Sequence, residues 1–355
     1  MNFTSDNAAP AHPAIMAALA RANDGFAASY GADAIMERVT ARIRGIFEAP
    51  DATVHLVATG TAANALALAC LCPPWATIFC HRDAHIEADE GGAPEFFTAG
   101  AKLTLVDGPD ARIDPDRLDA AMAHANRLGV HNIQRGALSI TNVTEAGSVY
   151  TVDRVASLAD IAKRWGVPVH MDGARFANAL VATGATPAEM TWKAGVDALS
   201  FGGTKNGLLG VEAVILFEPD KSWEFELRRK RGGHLFSKHR YLSAQMDAYL
   251  ADDLWMDLAR TANTRAADLA HGLTSAGARL LHPADANMIF AEWPRAGHRA
   301  LRDAGAKYYF HPADHSLEGP ADELLAARLV CSWCTTERDV PDFLAALEAS
   351  RAAAG

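Results

Sequence analysis

From position 53 onward the chain alternates short apolar runs with longer stretches whose apolar residues recur at helical spacing. Runs at 54–58, 77–80, 103–106, 137–141, 167–171, 198–201 and 212–217 have strand length and end in turn residues. Stretches at 61–71, 115–125 and 153–165 lie between several of them and read as helices. Strands alternating with helices predict an α/β fold, a mostly parallel sheet covered on both faces. Ahead of this region the first dozen residues read as extended. Two helices follow, over 13–23 and 34–48, separated by the turn-like Ser29-Tyr30-Gly31-Ala32-Asp33. Beyond Pro219 the texture changes. Helical patterns cover 223–231 and, as one element, 241–276. Short strands are then predicted over 279–281, 288–292, 308–310 and 329–333, with a closing helix over 340–353. The expected organisation is an N-terminal arm with helices (1–49), a large domain (50–249) and a smaller C-terminal α/β domain (250–355).

Composition narrows the function classes. The 355 residues are 50% hydrophobic and 21% charged, enough for a large core. No run approaches the 18 or so apolar residues of a membrane span, and no membrane partner is expected. The first seven residues lack the basic and apolar regions of a signal peptide, which predicts a cytoplasmic protein. A net charge of −10 without a broad basic face argues against nucleic acid as a partner. The one basic cluster, Arg228-Arg229-Lys230-Arg231, reads as a solvated helix end or as help for an anionic cofactor. Four of the five cysteines (Cys70, Cys72, Cys80, Cys331 and Cys334) sit in apolar runs and read as buried thiols. Cys331 and Cys334 have CxxC spacing, but no second pair completes a zinc site, so no metal is expected.

Two of the predicted strands end in polar groups, the place where open α/β sheets put their chemistry. Residues 167–171 deliver Asp172-Gly173-Ala174-Arg175, and 197–201 deliver Gly202-Gly203-Thr204-Lys205-Asn206-Gly207. An acid at one strand end and a glycine-bounded lysine at the next form the minimal kit for pyridoxal 5'-phosphate (PLP). The lysine makes a Schiff base, and the acid keeps the pyridine nitrogen protonated so the ring withdraws electrons. The pairing points to chemistry at the α-carbon of an amino acid. Asp172 also reads as the cap of a helix starting there, with Arg175 as its partner. One turn on, Arg175 is placed to take a substrate carboxylate in bidentate geometry. Thr59-Gly60-Thr61-Ala62-Ala63-Asn64 opens a helix after a strand, so its free amides and hydroxyls suit the cofactor phosphate. The segment is neither GxGxxG nor a Walker loop, which disfavours dinucleotides and ATP. His85 reads either as a ring-stacking, proton-exchanging group or as a plain loop histidine. His131, ahead of the strand at 137–141, reads either as a partner for a substrate hydroxyl or as a plain loop residue. By local pattern Ser5 is a turn cap and Arg328 a surface charge.

Taken together these segments resemble the threonine aldolase family, fold type I PLP-dependent enzymes of the aspartate aminotransferase-like class. The resemblance rests on Ser5-Asp6-Asn7, Tyr30-Gly31-Ala32-Asp33, Thr59–Asn64, Ala84-His85-Ile86, Ser139-Ile140-Thr141-Asn142, the segments 170–179 and 200–207, Gly233-His234-Leu235-Phe236-Ser237-Lys238, and the segment 328–333. It implies that Lys205 holds the cofactor, that Asp172 contacts the pyridine nitrogen and that His85 stacks on the ring. Gly60 and Thr61 would bind the phosphate. Ser5, Arg175 and Arg328 would hold the substrate carboxylate, and His131 would approach the β-hydroxyl. The implied reaction is retro-aldol cleavage of L-threonine, L-allo-threonine or L-phenylserine to glycine and an aldehyde. The family also implies a homo-oligomer, a dimer of dimers with the site at a dimer interface, where Lys230 or Arg231 reaches a neighbour's phosphate. A β-eliminating lyase or aminotransferase of the same fold is the alternative reading, and a non-catalytic PLP-binding protein a third.

Overall fold

The computed structural model describes residues 1–352; residues 353–355, the end of the expected C-terminal domain, lie outside the described residues. An extended arm leads into α1 (Pro13–Ala22) and α2 (Ala34–Ile46), the latter capped by Asp33 Oδ1 accepting from Met36 N at 3.0 Å. Then come β1 (Thr53–Val57), α3 (Gly60–Leu71), β2 (Ala76–His81), the short α4 (His85–Ala88) and α5 (Ala93–Phe97), and β3 (Lys102–Val106). α6 (Pro115–His124), β4 (Gln134–Thr141), α7 (Val152–Arg164), β5 (Val169–Gly173), α8 (Phe176–Thr183) and α9 (Pro187–Met190) follow. β6 (Ala198–Phe201), β7 (Glu212–Leu216) and α10 (Ser222–Arg231) complete the large unit.

Among the described residues the large sheet has seven strands in the order β1-β7-β6-β5-β4-β2-β3. β7 runs antiparallel to both neighbours, and the pairs from β6 through to β3 are parallel. Alternate residues therefore face opposite layers. Val57, Ala198 and Val214 pack on α3 and Phe225 of α10, while Leu56, Met171, Leu199 and Ile215 join the core formed with α2 and α7. β2, β5 and β7 are buried along their whole length, as expected for strands covered on both faces.

The expected helix over 241–276 is two helices, α11 (Arg240–Tyr249) and α12 (Leu254–Ser275). Asp252 and Asp253 adopt φ of 52° and 56° between them. Acidic side chains tolerate that left-handed turn, so the helix breaks without glycine or proline. β8 (Arg279–Leu280), β9 (Met288–Pro294), α13 (Arg295–Asp303), β10 (Tyr309–Phe310), β11 (Leu324–Val330) and α14 (Asp339–Ala352) form the smaller unit, an antiparallel sheet β10-β11-β9-β8. The strand expected at 329–333 begins five residues earlier. Pairing with β9 runs from Leu324↔Pro294 to Val330↔Met288, and beyond it Trp333 leaves the sheet to donate from Nε1 to Pro10 O at 3.1 Å. Phe3 is buried in the small-unit core, and Val330 N donates to Phe3 O at 2.9 Å, so the N-terminal arm is stapled to this sheet. Among the described residues no helix is long and apolar enough to cross a membrane.

Candidate active site

Asp172, next to last in β5, pairs in register with Thr141 of β4 and Ser200 of β6. Met171 faces the α7 layer, so Asp172 and His170 face α3. Lys205 sits just past β6 in a 3-10 turn, Thr204–Asn206, between Gly203 and Gly207, whose φ is 96°. A Cβ on Gly202 would overlap the Ala174 backbone, so the lysine loop and the Asp172 loop touch only because that residue is glycine. The turn is pinned from three sides. Glu212 Oε2 accepts from Gly203 N at 2.6 Å, Asn206 Nδ2 donates to Tyr249 Oη at 2.7 Å, and His12 N donates to Gly207 O at 2.8 Å. Burial pushes the Glu212 carboxyl up to about 7, against the pull of Thr204, Gly203 and Lys205.

On the α3 side, Asn64 Nδ2 donates to Asp172 Oδ2 at 2.9 Å and to Glu90 Oε1 at 2.8 Å. The same Glu90 oxygen meets His85 Nδ1 at 2.8 Å. Ala174 N donates to Asp172 Oδ1 at 3.0 Å, so the expected helix cap is a turn bond instead: α8 begins only at Phe176. The hydrogen bond to Glu90 raises the His85 imidazole above its ordinary range despite burial. Burial raises the Glu90 carboxyl in turn. Behind Asp172, His170 is buried between Ser139 Oγ and Ser200 Oγ, each at 3.0 Å, and burial pushes it down to about 4, so it is neutral.

The opposite wall is made of arginines. Arg175 is buried, and its fork grips Asp6: Nε to Oδ2 at 2.6 Å and Nη2 to Oδ1 at 2.9 Å. Asp6 therefore takes the side-on face of the guanidinium, and the end-on pair of Nη1 and Nη2 is left as the face that could receive a substrate carboxylate. Asn287 Nδ2 donates to Asp6 Oδ2 at 3.0 Å. Burial alone would raise the Asp6 carboxyl, but Arg175 outweighs it and holds Asp6 below the usual range. Arg328 donates to Thr4 O at 3.2 Å, and its guanidinium lies 5.4 Å from the Tyr309 ring centroid. Burial and neighbouring Arg175 lower its proton affinity. A cleft of about 400 Å³ opens beside it, lined by Tyr309, His311 and Arg302 among others. Ser5 caps the turn carrying Asp6, accepting from Asn7 N at 3.1 Å. The Lys205 charge acts on Asp6, His85 and Glu212, and that of Glu145 on His85, Arg175 and Arg328, which places these groups around one cleft.

Thr59 caps α3, accepting from Ala62 N at 3.1 Å, and Gly60 has nothing within 4 Å of where its Cβ would lie. The helix start at Gly60 and Thr61 is thus open to an anion. The basic cluster is not uniformly solvated: Arg229 is buried and donates to Leu56 O at 3.1 Å, and Arg228 pairs with Glu224 at 2.7 Å. Lys230 Nζ lies 4.9 Å from the Tyr30 ring centroid. His131 falls in an exposed turn ahead of β4. It therefore lies beyond the far end of a strand whose other end pairs with Asp172, more than about 20 Å away at strand rise. Within one chain it is not brought to the cleft. Among the described residues no group of three or more His, Cys, Asp and Glu is set to hold a metal ion, and Cys70, Cys72, Cys80 and Cys331 are buried free thiols. Asn64, Glu90 and the pairing role of Asp6 had no reading of their own from sequence. Asn64 and Asp6 lay inside motifs, while no local pattern marked Glu90.

These groups fit PLP: a buried acid for the ring nitrogen, an imidazole beside it, an open helix start for phosphate, and a lysine on a pinned turn. Residues 2–294 match the beta-eliminating lyase family. The low specificity L-threonine aldolase of Pseudomonas aeruginosa is 38% identical over 94% of this chain and 93% of its own. A Leishmania major threonine aldolase structure superposes with a TM-score of 0.88 at 27% identity, covering 98% of each chain. A serine palmitoyltransferase solved with PLP shares the fold, with a TM-score of 0.71 at 16% identity over 99% of this chain and 87% of its own. The chain belongs to the beta-eliminating lyase family and, within it, to the threonine aldolases.

Proposed function

We propose that this protein is a PLP-dependent aldehyde-lyase that cleaves L-threonine, L-allo-threonine and related β-hydroxy-α-amino acids, L-phenylserine among them, to glycine and an aldehyde. The observation that carries the reading is the placement of Lys205 and Asp172 at the ends of adjacent parallel strands, near Arg175 and its partner Asp6. When bound, PLP draws electrons from the α-carbon of an amino acid joined to it.

The chain supplies the rest. Lys205 Nζ would hold the cofactor. Asp172, fixed by Asn64 and the Ala174 amide, keeps the pyridine nitrogen protonated. The Gly60 and Thr61 amides receive the phosphate. Arg328, Ser5 and the free end-on face of Arg175 hold the substrate carboxylate, and this clamp decides which bond of the α-carbon breaks. His85 would lie against the ring, and its second nitrogen, not used by Glu90, would be free to take the β-hydroxyl proton.

The protein is read as a cytoplasmic homo-oligomer, a dimer of dimers, with large (50–249) and small (250–355) domains. Exposed Tyr30 lies beside Lys230 and its amide donates to Ser237 O at 3.1 Å, next to exposed Phe236, a surface suited to a second copy whose phosphate Lys230 or Arg231 reaches. For His131 to act on the β-hydroxyl, its loop has to come from another copy.

Purified protein with PLP and L-threonine, followed through a coupled dehydrogenase, tests the reading. Acetaldehyde with matching glycine supports it. A keto acid in place of glycine establishes the β-eliminating lyase or aminotransferase alternative instead.

A further inference from the structure

We infer that Glu90 and Asn64 are positioning residues: together they tie His85 and Asp172 into one buried brace that sets both groups against the same cofactor ring. The inference rests on the roles proposed above for His85 and Asp172.

Four side chains form the brace, and every link is a hydrogen bond of ordinary length. His85 Nδ1 meets Glu90 Oε1 at 2.8 Å, Asn64 Nδ2 donates to that same oxygen at 2.8 Å, and the same amide nitrogen donates to Asp172 Oδ2 at 2.9 Å. One amide thus bridges two carboxylates 82 residues apart (172 − 90). The Glu90 side chain is fully shielded from solvent and Asn64 is 2% exposed. Burying a carboxylate costs free energy unless partners use its charge, and two such groups around one amide repel each other as well. Glu90 caps no helix, and the loop it sits in turns away immediately through Gly91 and Gly92, with φ of 58° and 77°. Among the described residues Glu90 Oε2 and Asn64 Oδ1 are buried without hydrogen-bond partners, unusual for groups that only hold a core together.

The chemistry follows from the donors. A carboxylate at Nδ1 can only accept, so the imidazole keeps its hydrogen on Nδ1 and presents Nε2 as the free nitrogen. Asn64 can only donate from Nδ2, so Asp172 is held as an acceptor at one oxygen. The charges facing His85 are Glu90, Asp89 at 3.7 Å from Nε2, Glu145, Asp172 and Lys205. Of these Glu90 acts most strongly, and it favours the protonated imidazole. Removing its charge lowers the pH at which His85 becomes a base.

The test uses Glu90→Gln, which keeps size and an acceptor oxygen but removes the charge, and Glu90→Ala, which removes both. Three quantities are read: the His85 titration by NMR in cofactor-free protein, the visible band of the PLP-loaded protein against pH, and kcat and KM against pH. In Glu90→Gln the His85 midpoint and the acidic limb of kcat both move to lower pH. In Glu90→Ala kcat also falls roughly 10- to 100-fold with KM nearly unchanged, as the ring is no longer oriented. Asn64→Ala shifts the pH dependence of the visible band, because Asp172 loses a donor. Loss of melting temperature with the His85 titration, band and pH profile all unmoved overturns the inference and leaves the pair a packing feature. Should Glu90→Ala fail to fold, Glu90→Gln decides alone. A wild-type protein that shows no aldolase turnover sinks the proposed function, yet the NMR titration still tests the His85–Glu90 link.

Discussion

The two walls of the cleft are built on different principles. The acidic wall, Asp172, Asn64, Glu90 and His85, comes from residues 64–172 of one sheet and the segments packed on it. Its groups are mostly buried and arrive in place when β4, β5 and α3 pack. The basic wall draws on residues 4–6, 175, 287 and 328, nearly the full length of the chain. It exists only once the arm and the small unit have closed on the large sheet. Arg175 and Arg328 each oppose the other's charge, and one carboxylate, Asp6, grips the more deeply buried of the two. The acidic wall suits a group that stays in place through every turnover. The basic wall suits recognition of something that comes and goes.

Breaking the first wall's partner has the largest expected effect. Lys205→Ala should cut turnover of L-threonine by more than about 10⁴-fold, the scale of losing a covalent participant. A variant with near wild-type rates would remove Lys205 from the account. Arg328→Ala comes next. Losing a charged hydrogen-bonding partner of about 1.5–3 kcal/mol should lower kcat/KM by roughly 10- to 100-fold, mostly through KM, with PLP still bound. Unchanged affinity for glycine would refute its place in the clamp.

Asp6→Asn sharpens the comparison, since it keeps the shape of the Arg175 partner and removes its charge. Asp6 has a folded pKa below its unfolded value of 3.8. Its ionised form therefore stabilises the fold above that value, and the contribution is lost as pH falls below it. Acid unfolding of the variant should lose this part of its pH dependence, and a chemical-denaturation series between pH 5 and pH 3 checks it. The smallest effect is at Glu212, under the lysine turn. Its folded pKa of about 7 lies above the usual 4.5, so the folded state holds the extra proton. Stability from this group is present below pH 4.5 and declines as pH rises through 7. Glu212→Gln should flatten that slope in the cofactor-free protein, and an unchanged slope would show the carboxyl is not protonated there.

The contrast between the walls also explains what could be read from sequence. Strand ends at Asp172 and before Lys205 stand out because short apolar runs and flanking glycines are local signals. The α-helical and β-strand alternation of the large unit is local in the same way. What escaped is long-range or depends on a partner. The break at Asp252 and Asp253 carries no glycine or proline, and the start of β11 is fixed by β9 rather than by its own pattern. The grip of Arg175 on Asp6 spans 169 residues and restricts a substrate carboxylate to the end-on face of that guanidinium. Glu90 meets Asn64 and His85 through a loop that no periodicity describes. His131 lies beyond the opposite end of β4 from Thr141, a fact of strand direction that residue spacing does not reveal.

Everything proposed for the cleft depends on Lys205, on its pinned turn, being the residue that carries PLP. Reducing the PLP-loaded protein with borohydride, digesting it and sequencing the labelled peptide by mass spectrometry tests this directly. A single stoichiometric label is expected on the peptide spanning residues 202–207, at Lys205. A label on another lysine, or none in protein that binds PLP, would contradict it.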